Sequence, residues 1–222
     1  MFGQNLSRQK IFKEKIIKDT NKRKILNENY SYNDNIHDGG ERFSDLRIMN
    51  YKSCGAKYTI NNCVNVYVNG EDKFKQLIED IKNAKKYIHI EYYIFRSDNL
   101  GKKIIKELTK KLNEGLEVRL LVDAMGSRSL IKKHLREYLS AGGKFSIFFP
   151  GILPHINTRI NYRNHRKIVV IDGKYGYVGG FNVGDEYINR DREFGFWRDT
   201  HVRIQGLSLI HISEPTRLRC IS

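Results

Sequence analysis

Apolar positions change rhythm along this chain, and the changes mark out strands and helices. A short apolar run from Val64 to Val68 closes at Asn69-Gly70 and predicts a strand. From about Glu71 to Lys86, the residues Phe74, Leu77, Ile78, Ile81 and Ala84 fall on one stripe, the spacing of an amphipathic helix. A second strand is predicted over Tyr87 to Phe95, a helix over about Leu100 to Leu112, and a third strand over Glu117 to Ala124, introduced by the stop Asn113-Glu114-Gly115. A further helix, about Ser129 to Leu139, ends at Ala141-Gly142-Gly143 and gives way to a strand over Lys144 to Phe149. After an irregular stretch from Pro150 to Asn164, a strand from Arg166 to Ile171 turns at Asp172-Gly173 into a return strand near Tyr175 to Gly179. Asp-Gly between two apolar runs is a strong hairpin signal. Strands alternating with helices predict an α/β fold, a layered mixed sheet with helices on both faces.

The first 60 residues break this pattern. They are polar and basic, with Arg8, Lys10, Lys13, Lys15, Lys18, Lys22, Arg23 and Lys24 against few acids. Phe12, Ile16 and Ile17 predict one short amphipathic helix, and Asn27 to Arg42 reads as a loop. The expected organisation is a basic extension over 1–60 and a catalytic domain over 61–206. The basic run is either a solvated face or an arm drawn to anionic lipid.

Composition narrows the partners. Forty Lys and Arg against 25 Asp and Glu give a formal charge of +15, which favours phospholipid surfaces, nucleic acid or phosphorylated substrates. Cys54, Cys63 and Cys220 show neither a disulfide framework nor zinc-ligand spacing. No apolar run reaches the roughly 18 residues that a membrane-spanning helix needs, and Pro150 and Gly151 break the longest.

The chemistry gathers in Asn164-His165-Arg166-Lys167-Ile168-Val169-Val170-Ile171-Asp172-Gly173. Two positions apart on a strand, His165 and Lys167 point to one face and can reach one ligand. An imidazole is a sound nucleophile toward phosphorus at neutral pH, and a phosphohistidine divides one difficult displacement into two easier ones. Lys167 would neutralise a non-bridging oxygen as charge builds. Asp172 completes the motif, but its parity and its place at the turn predict that it holds the hairpin or a neighbouring backbone. Asn182, in Gly179-Gly180-Phe181-Asn182, could donate to the same phosphate, with two glycines permitting close approach. A nucleophilic histidine needs a carboxylate on its other ring nitrogen. Of Asp185, Glu186, Asp191, Glu193 and Asp199, the last is favoured: it opens a strand-like run ending at Gly206 and could lie beside the His165 strand.

HxKxxxxD followed by GGxN resembles the phospholipase D superfamily. The flanks Gly70 to Phe74, His89 to Tyr93, Gly179 to Tyr187 and Phe196 to Gly206 are similar to bacterial cardiolipin synthases, so the resemblance covers about residues 60 to 206. It implies phosphatidyl transfer through a phosphohistidine: His165 attacks one phosphatidylglycerol, glycerol leaves, and a second phosphatidylglycerol takes the phosphatidyl group to give cardiolipin. Neither metal nor other cofactor is implied. The implied location is the cytoplasmic face of the cell membrane, and Gly3 to Arg8 looks like a segment that follows a membrane anchor.

A complete site of this family uses two HxK motifs, and the chain has one. His37, His89, His134, His155, His201 and His211 lack a Lys two positions on, and His201 is expected to be a satisfied structural histidine. Residues 207–222 resemble a translated sequencing adapter, so the natural chain is expected to continue into a second catalytic half, without which this one is inactive. Two alternatives stand beside this reading: a phosphodiesterase or nuclease that completes its site by homodimerisation, and a basic membrane-surface binding protein with a relic motif. The cardiolipin-synthase-like flanks favour phospholipid over nucleic acid as partner.

Overall fold

The computed structural model describes residues 43–54, 58, 62–130, 132–148, 163–190 and 195–206. The chain divides into two compact units, Met1–Lys57 and Tyr58–Ser222. In the first, a helix α1 spans Ser44–Cys54, with Asp45 in its first turn and Lys52 in its last, charges that suit the helix dipole. The helix expected near Phe12 to Ile17 and the loop expected from Asn27 to Arg42 lie outside the described residues.

The second unit runs β1 (Cys63–Asn69), α2 (Gly70–Lys82), β2 (Tyr87–Tyr92), α3 (Asn99–Asn113), β3 (Glu117–Asp123), a 3-10 turn (Lys132–Leu135), α4 (Arg136–Ser140), β4 (Lys144–Phe148), β5 (Ile168–Ile171), β6 (Tyr175–Gly179), a second 3-10 turn (Asp185–Ile188) and β7 (Arg198–Gln205). Local chemistry sets these boundaries. Asn69 caps α2, its Oδ1 accepting from Glu71 N at 2.9 Å, and Asp98 caps α3, accepting from Gly101 N at 3.0 Å. Gly115, at φ 89°, ends α3 as Leu116 N donates back to Lys111 O at 3.0 Å. Asp172 and Gly173 turn the β5–β6 hairpin with φ of 57° and 65°, the left-handed region expected of an Asp-Gly turn. The helix expected over Ser129 to Leu139 is instead the first 3-10 turn followed by one short α-helix.

The seven strands form one mixed sheet in the order β1-β7-β6-β5-β2-β3-β4. β2, β3 and β4 are parallel, because α3 and then the 3-10 turn with α4 carry the chain back between them; the other pairings are antiparallel. β5 lies between β6 and β2, and all four of its residues are buried, which accounts for its unbroken Ile-Val-Val-Ile sequence. Alternate strand residues Ile88, Ile90, Tyr92, Val118, Leu120, Val122, Val169, Ile171 and Tyr177 join Phe74, Leu77, Ile81, Ile104 and Leu108 of α2 and α3 in one core.

One buried polar link ties α2 to the sheet. Arg203 Nε donates to Asp80 Oδ2 at 2.7 Å, and the Tyr177 hydroxyl donates to the same carboxylate. An ion pair with this much hydrogen bonding avoids the penalty of an isolated buried charge.

Candidate active site

His165 stands three residues ahead of Ile168, the first residue of β5, so it and Lys167 precede the strand instead of lying within it. They nevertheless meet. Lys167 Nζ is 2.8 Å from His165 Nδ1, 3.2 Å from Nε2, and donates to the His165 carbonyl at 2.8 Å. The imidazole is exposed while Lys167 is buried, which suits a nucleophile open to substrate beside a fixed cation. Tyr93, just past β2, packs against the imidazole with ring centroids 4.5 Å apart.

The electrostatics favour a neutral imidazole. Desolvation and then the Lys167 charge lower the His165 pKa below 6.5, opposed by the Asp123 carboxylate. Burial brings Lys167 down to about 8, opposed by Asp199. Near pH 7, then, a free-base imidazole faces a protonated lysine, the pairing that attack on a phosphodiester requires.

The three other expected site residues lie farther from the His165–Lys167 contact in the chain. Asp172, counted with the motif as catalytic, lies beyond the far end of β5. Its Oδ1 accepts from Lys86 N at 2.7 Å and Tyr87 N at 3.0 Å, and its Oδ2 from Lys85 N at 2.8 Å. The carboxylate thus binds the hairpin turn to the start of β2, the structural role its parity predicts. Asn182 is buried, and its amide is occupied within the protein: Oδ1 accepts from Ile94 N at 3.1 Å, and Nδ2 donates to the Tyr187 hydroxyl at 3.1 Å. A buried amide needs such partners, and these leave it one hydrogen to offer a phosphate.

Asp199 is the second residue of β7, but β6 lies between β7 and β5, so the strands are not neighbours. Its Oδ1 accepts from Thr200 N at 2.6 Å, and its charge acts on Lys167. The two glycines of GGxN gain a physical reason here. A Cβ on Gly180 would lie 2.0 Å from Asp199 Oδ1, and one on Gly179 would lie 2.4 Å from Thr200 O. The bare Gly180 makes room for the Asp199 carboxylate, and the bare Gly179 for the β7 backbone at Thr200 and His201.

The other carboxylates considered for His165 serve elsewhere. Asp185 accepts from Leu100 N at 2.9 Å and Asn99 Nδ2 at 2.8 Å, and Glu186 pairs with Arg96 at 2.7 Å. Asp191 and Glu193 lie outside the described residues. His201 is structural in position but not satisfied: it is fully buried, neither ring nitrogen has a hydrogen-bond partner among the described residues, and its ring stacks 6.1 Å from Phe181. Burial, reinforced by the Lys73 and Lys167 charges, lowers its pKa to about 2, so it is neutral. Among the described residues, no group of three or more His, Cys, Asp or Glu is placed to hold a metal ion, and no helix is long and apolar enough to cross a membrane.

Residues 77–206 match the family described as cardiolipin synthase, PLD-like domain. The chain belongs to that family. Cardiolipin synthase from Clostridium perfringens strain 13 is 48% identical over 211 residues, 94% of this chain and 44% of the relative. Cardiolipin synthase from Staphylococcus aureus strain Mu50 is 47% identical over 214 residues, 93% of this chain and 43% of the relative. The chain therefore spans less than half the length of these family members. Among solved structures, NucT from Helicobacter pylori aligns with a TM-score of 0.53 at 16% identity, covering 71% of this chain and 94% of that one. The phospholipase D family member Nuc from Salmonella typhimurium gives 0.53 at 17% identity, covering 72% and 93%. At such identities the likeness is one of fold.

Sequence reasoning did not assign roles to Tyr93, Glu91 or Asp123. Glu91 and Tyr93 lay in a flank already matched to the family, but only the β2–β5 pairing brings that flank to His165.

Proposed function

We propose that this chain supplies one half of a cardiolipin synthase site and carries the nucleophile of phosphatidyl transfer. The contact between His165 and Lys167 carries the reading, and near-half identity to cardiolipin synthases along almost the whole chain supports the substrate class. An imidazole nitrogen of His165 attacks the phosphorus of phosphatidylglycerol. The bond from phosphorus to the terminal glycerol oxygen breaks, and glycerol departs with a proton from a general acid. The hydroxyl of a second phosphatidylglycerol then attacks the phosphohistidine, gives up its proton, and leaves cardiolipin and a free imidazole. Lys167 neutralises the non-bridging oxygens in both steps, with Asp199 sustaining its charge.

The family site needs a second HxK motif as general acid, which a further segment or a second copy would bring. The net charge of +15 suits an anionic membrane surface, and the cytoplasmic leaflet is the proposed location.

The test is lipid analysis of cells that lack cardiolipin and express the natural gene containing this segment. Cardiolipin is expected to appear, and to vanish with His165→Ala; cleavage of DNA without cardiolipin would sink the proposal. The pH profile offers a second check. The acid limb of kcat/KM is expected below pH 6.5, since the lowered His165 pKa keeps the nucleophile neutral there. The alkaline limb is expected near pH 8, where Lys167 loses its proton. Asp199→Asn removes a charge that raises the Lys167 pKa, so the alkaline limb should move to lower pH; an unmoved limb contradicts the assigned role.

A further inference from the structure

Two buried carboxylates converge on the residue that precedes His165. Glu91, in β2, and Asp123, the last residue of β3, are both 0% exposed, and the parallel ladder pairs Glu91 with Leu121 and Tyr92 with Val122, placing both carboxylates at one end of the sheet. Asp123 Oδ2 accepts from Asn164 N at 3.0 Å, while its Oδ1 accepts from Met125 N at 2.8 Å and Gly126 N at 3.2 Å. The Asn164 side-chain amide donates to Glu91 Oε1, and its oxygen accepts from Arg166 N at 3.4 Å, so the side chain spans His165.

We propose that Glu91 and Asp123 are positioning residues for the His165 nucleophile and act through Asn164. The inference rests on the reading of His165 as nucleophile. The imidazole itself is exposed, leans on Tyr93, and has Lys167 as its side-chain partner. Its aim therefore also depends on the backbone that carries it. Asn164 is held at two separate points, by its backbone N–H and by its side-chain amide, and two points fix rotation as well as place.

Glu91 makes the case more pointed. Its second oxygen, Oε2, has no hydrogen-bond partner among the described residues, so a fully buried carboxylate is kept there for the bond to Asn164. A leucine would fill similar space without the desolvation penalty. Asp123 carries a second consequence, because its charge opposes burial and Lys167 in setting the His165 pKa. The groups acting on the imidazole are Lys167, Tyr93 and Asp123, while Asp199 acts on Lys167.

The experiment combines turnover of the natural protein containing this segment, with phosphatidylglycerol vesicles as probe, and an NMR titration of the His165 ring in this chain, assigned by its loss in His165→Ala. Asp123→Asn presents an amide hydrogen to Asn164 N–H and removes the charge. It is expected to lower kcat by about 100-fold with KM nearly unchanged, and to shift the His165 titration to lower pH. Glu91→Ala should lower kcat similarly, and Glu91→Gln, which keeps an acceptor for the Asn164 amide, should restore most of that loss. Wild-type kcat and an unmoved His165 titration in Asp123→Asn, or wild-type kcat in Glu91→Ala, would overturn the proposal. If Asp123→Asn does not fold, the comparison of Glu91→Ala with Glu91→Gln carries the same test. If His165→Ala still transfers phosphatidyl groups, the functional reading falls, and the NMR titration alone then decides whether Asp123 governs the setting of His165.

Discussion

His165→Ala is expected to leave no phosphatidyl adduct on the protein and to cut transfer by a factor on the order of 10⁴ or more, as removal of a covalent nucleophile does. The measurement is quenching of the natural protein with labelled phosphatidylglycerol, followed by analysis for acid-labile, base-stable label. Lys167→Met should act differently. Its ammonium stabilises charge without forming a bond, so some adduct should remain while both of its formation and breakdown steps slow. Equal labelling of wild type and His165→Ala would place the nucleophile elsewhere. The basis is geometric: a neutral, exposed imidazole lies 2.8 Å from a buried ammonium, ready for a phosphodiester whose charge the lysine meets.

Asp172→Ala is expected to act on stability, lowering it by about 2 to 4 kcal/mol, with the loss read from urea unfolding. Three backbone N–H groups, of Lys85, Lys86 and Tyr87, lose their acceptor, and alanine inherits a φ of 57° that suits it poorly. Asp172→Gly separates the two causes. It relieves the backbone but not the donors, and should recover about 1 kcal/mol of the loss. Asp172→Asn keeps one acceptor and tolerates the left-handed turn, so it should be milder than either. A catalytic aspartate would give the reverse pattern, with Asp172→Asn normal in stability and devoid of turnover.

Much of this molecule is written in local periodicity. The stripe Phe74, Leu77, Ile78, Ile81 marks α2, the Asp172-Gly173 turn marks the hairpin, and HxK marks the dyad, because each depends on neighbours in sequence. Helix α1 was not foreseen, since its residues form no apolar stripe to betray it. The place of Asp199 depends on strand order, which no local pattern encodes: β6 stands between β7 and β5, and the Asp199 charge acts on Lys167. The clamp on Asn164 was hidden for a similar reason. Glu91 and Asp123 stand 73 and 41 residues from Asn164, and only the assembled sheet brings them within hydrogen-bond reach.

Strand order also bears on how the chain is made. β1 is the first strand of the sheet to be synthesised, yet its one sheet neighbour is β7, the last. Cys63 pairs with Gln205, so β1 must wait unpaired while more than a hundred residues leave the ribosome. β2 gains β3 early but lacks β5 on its other side until the hairpin arrives. The sheet therefore closes only once β7 has emerged, and its closure brings distant parts of the chain together, a topology that folds slowly. Until then, Val64, Val66 and Val68 travel as an open strand that chaperones can hold and proteases can cut.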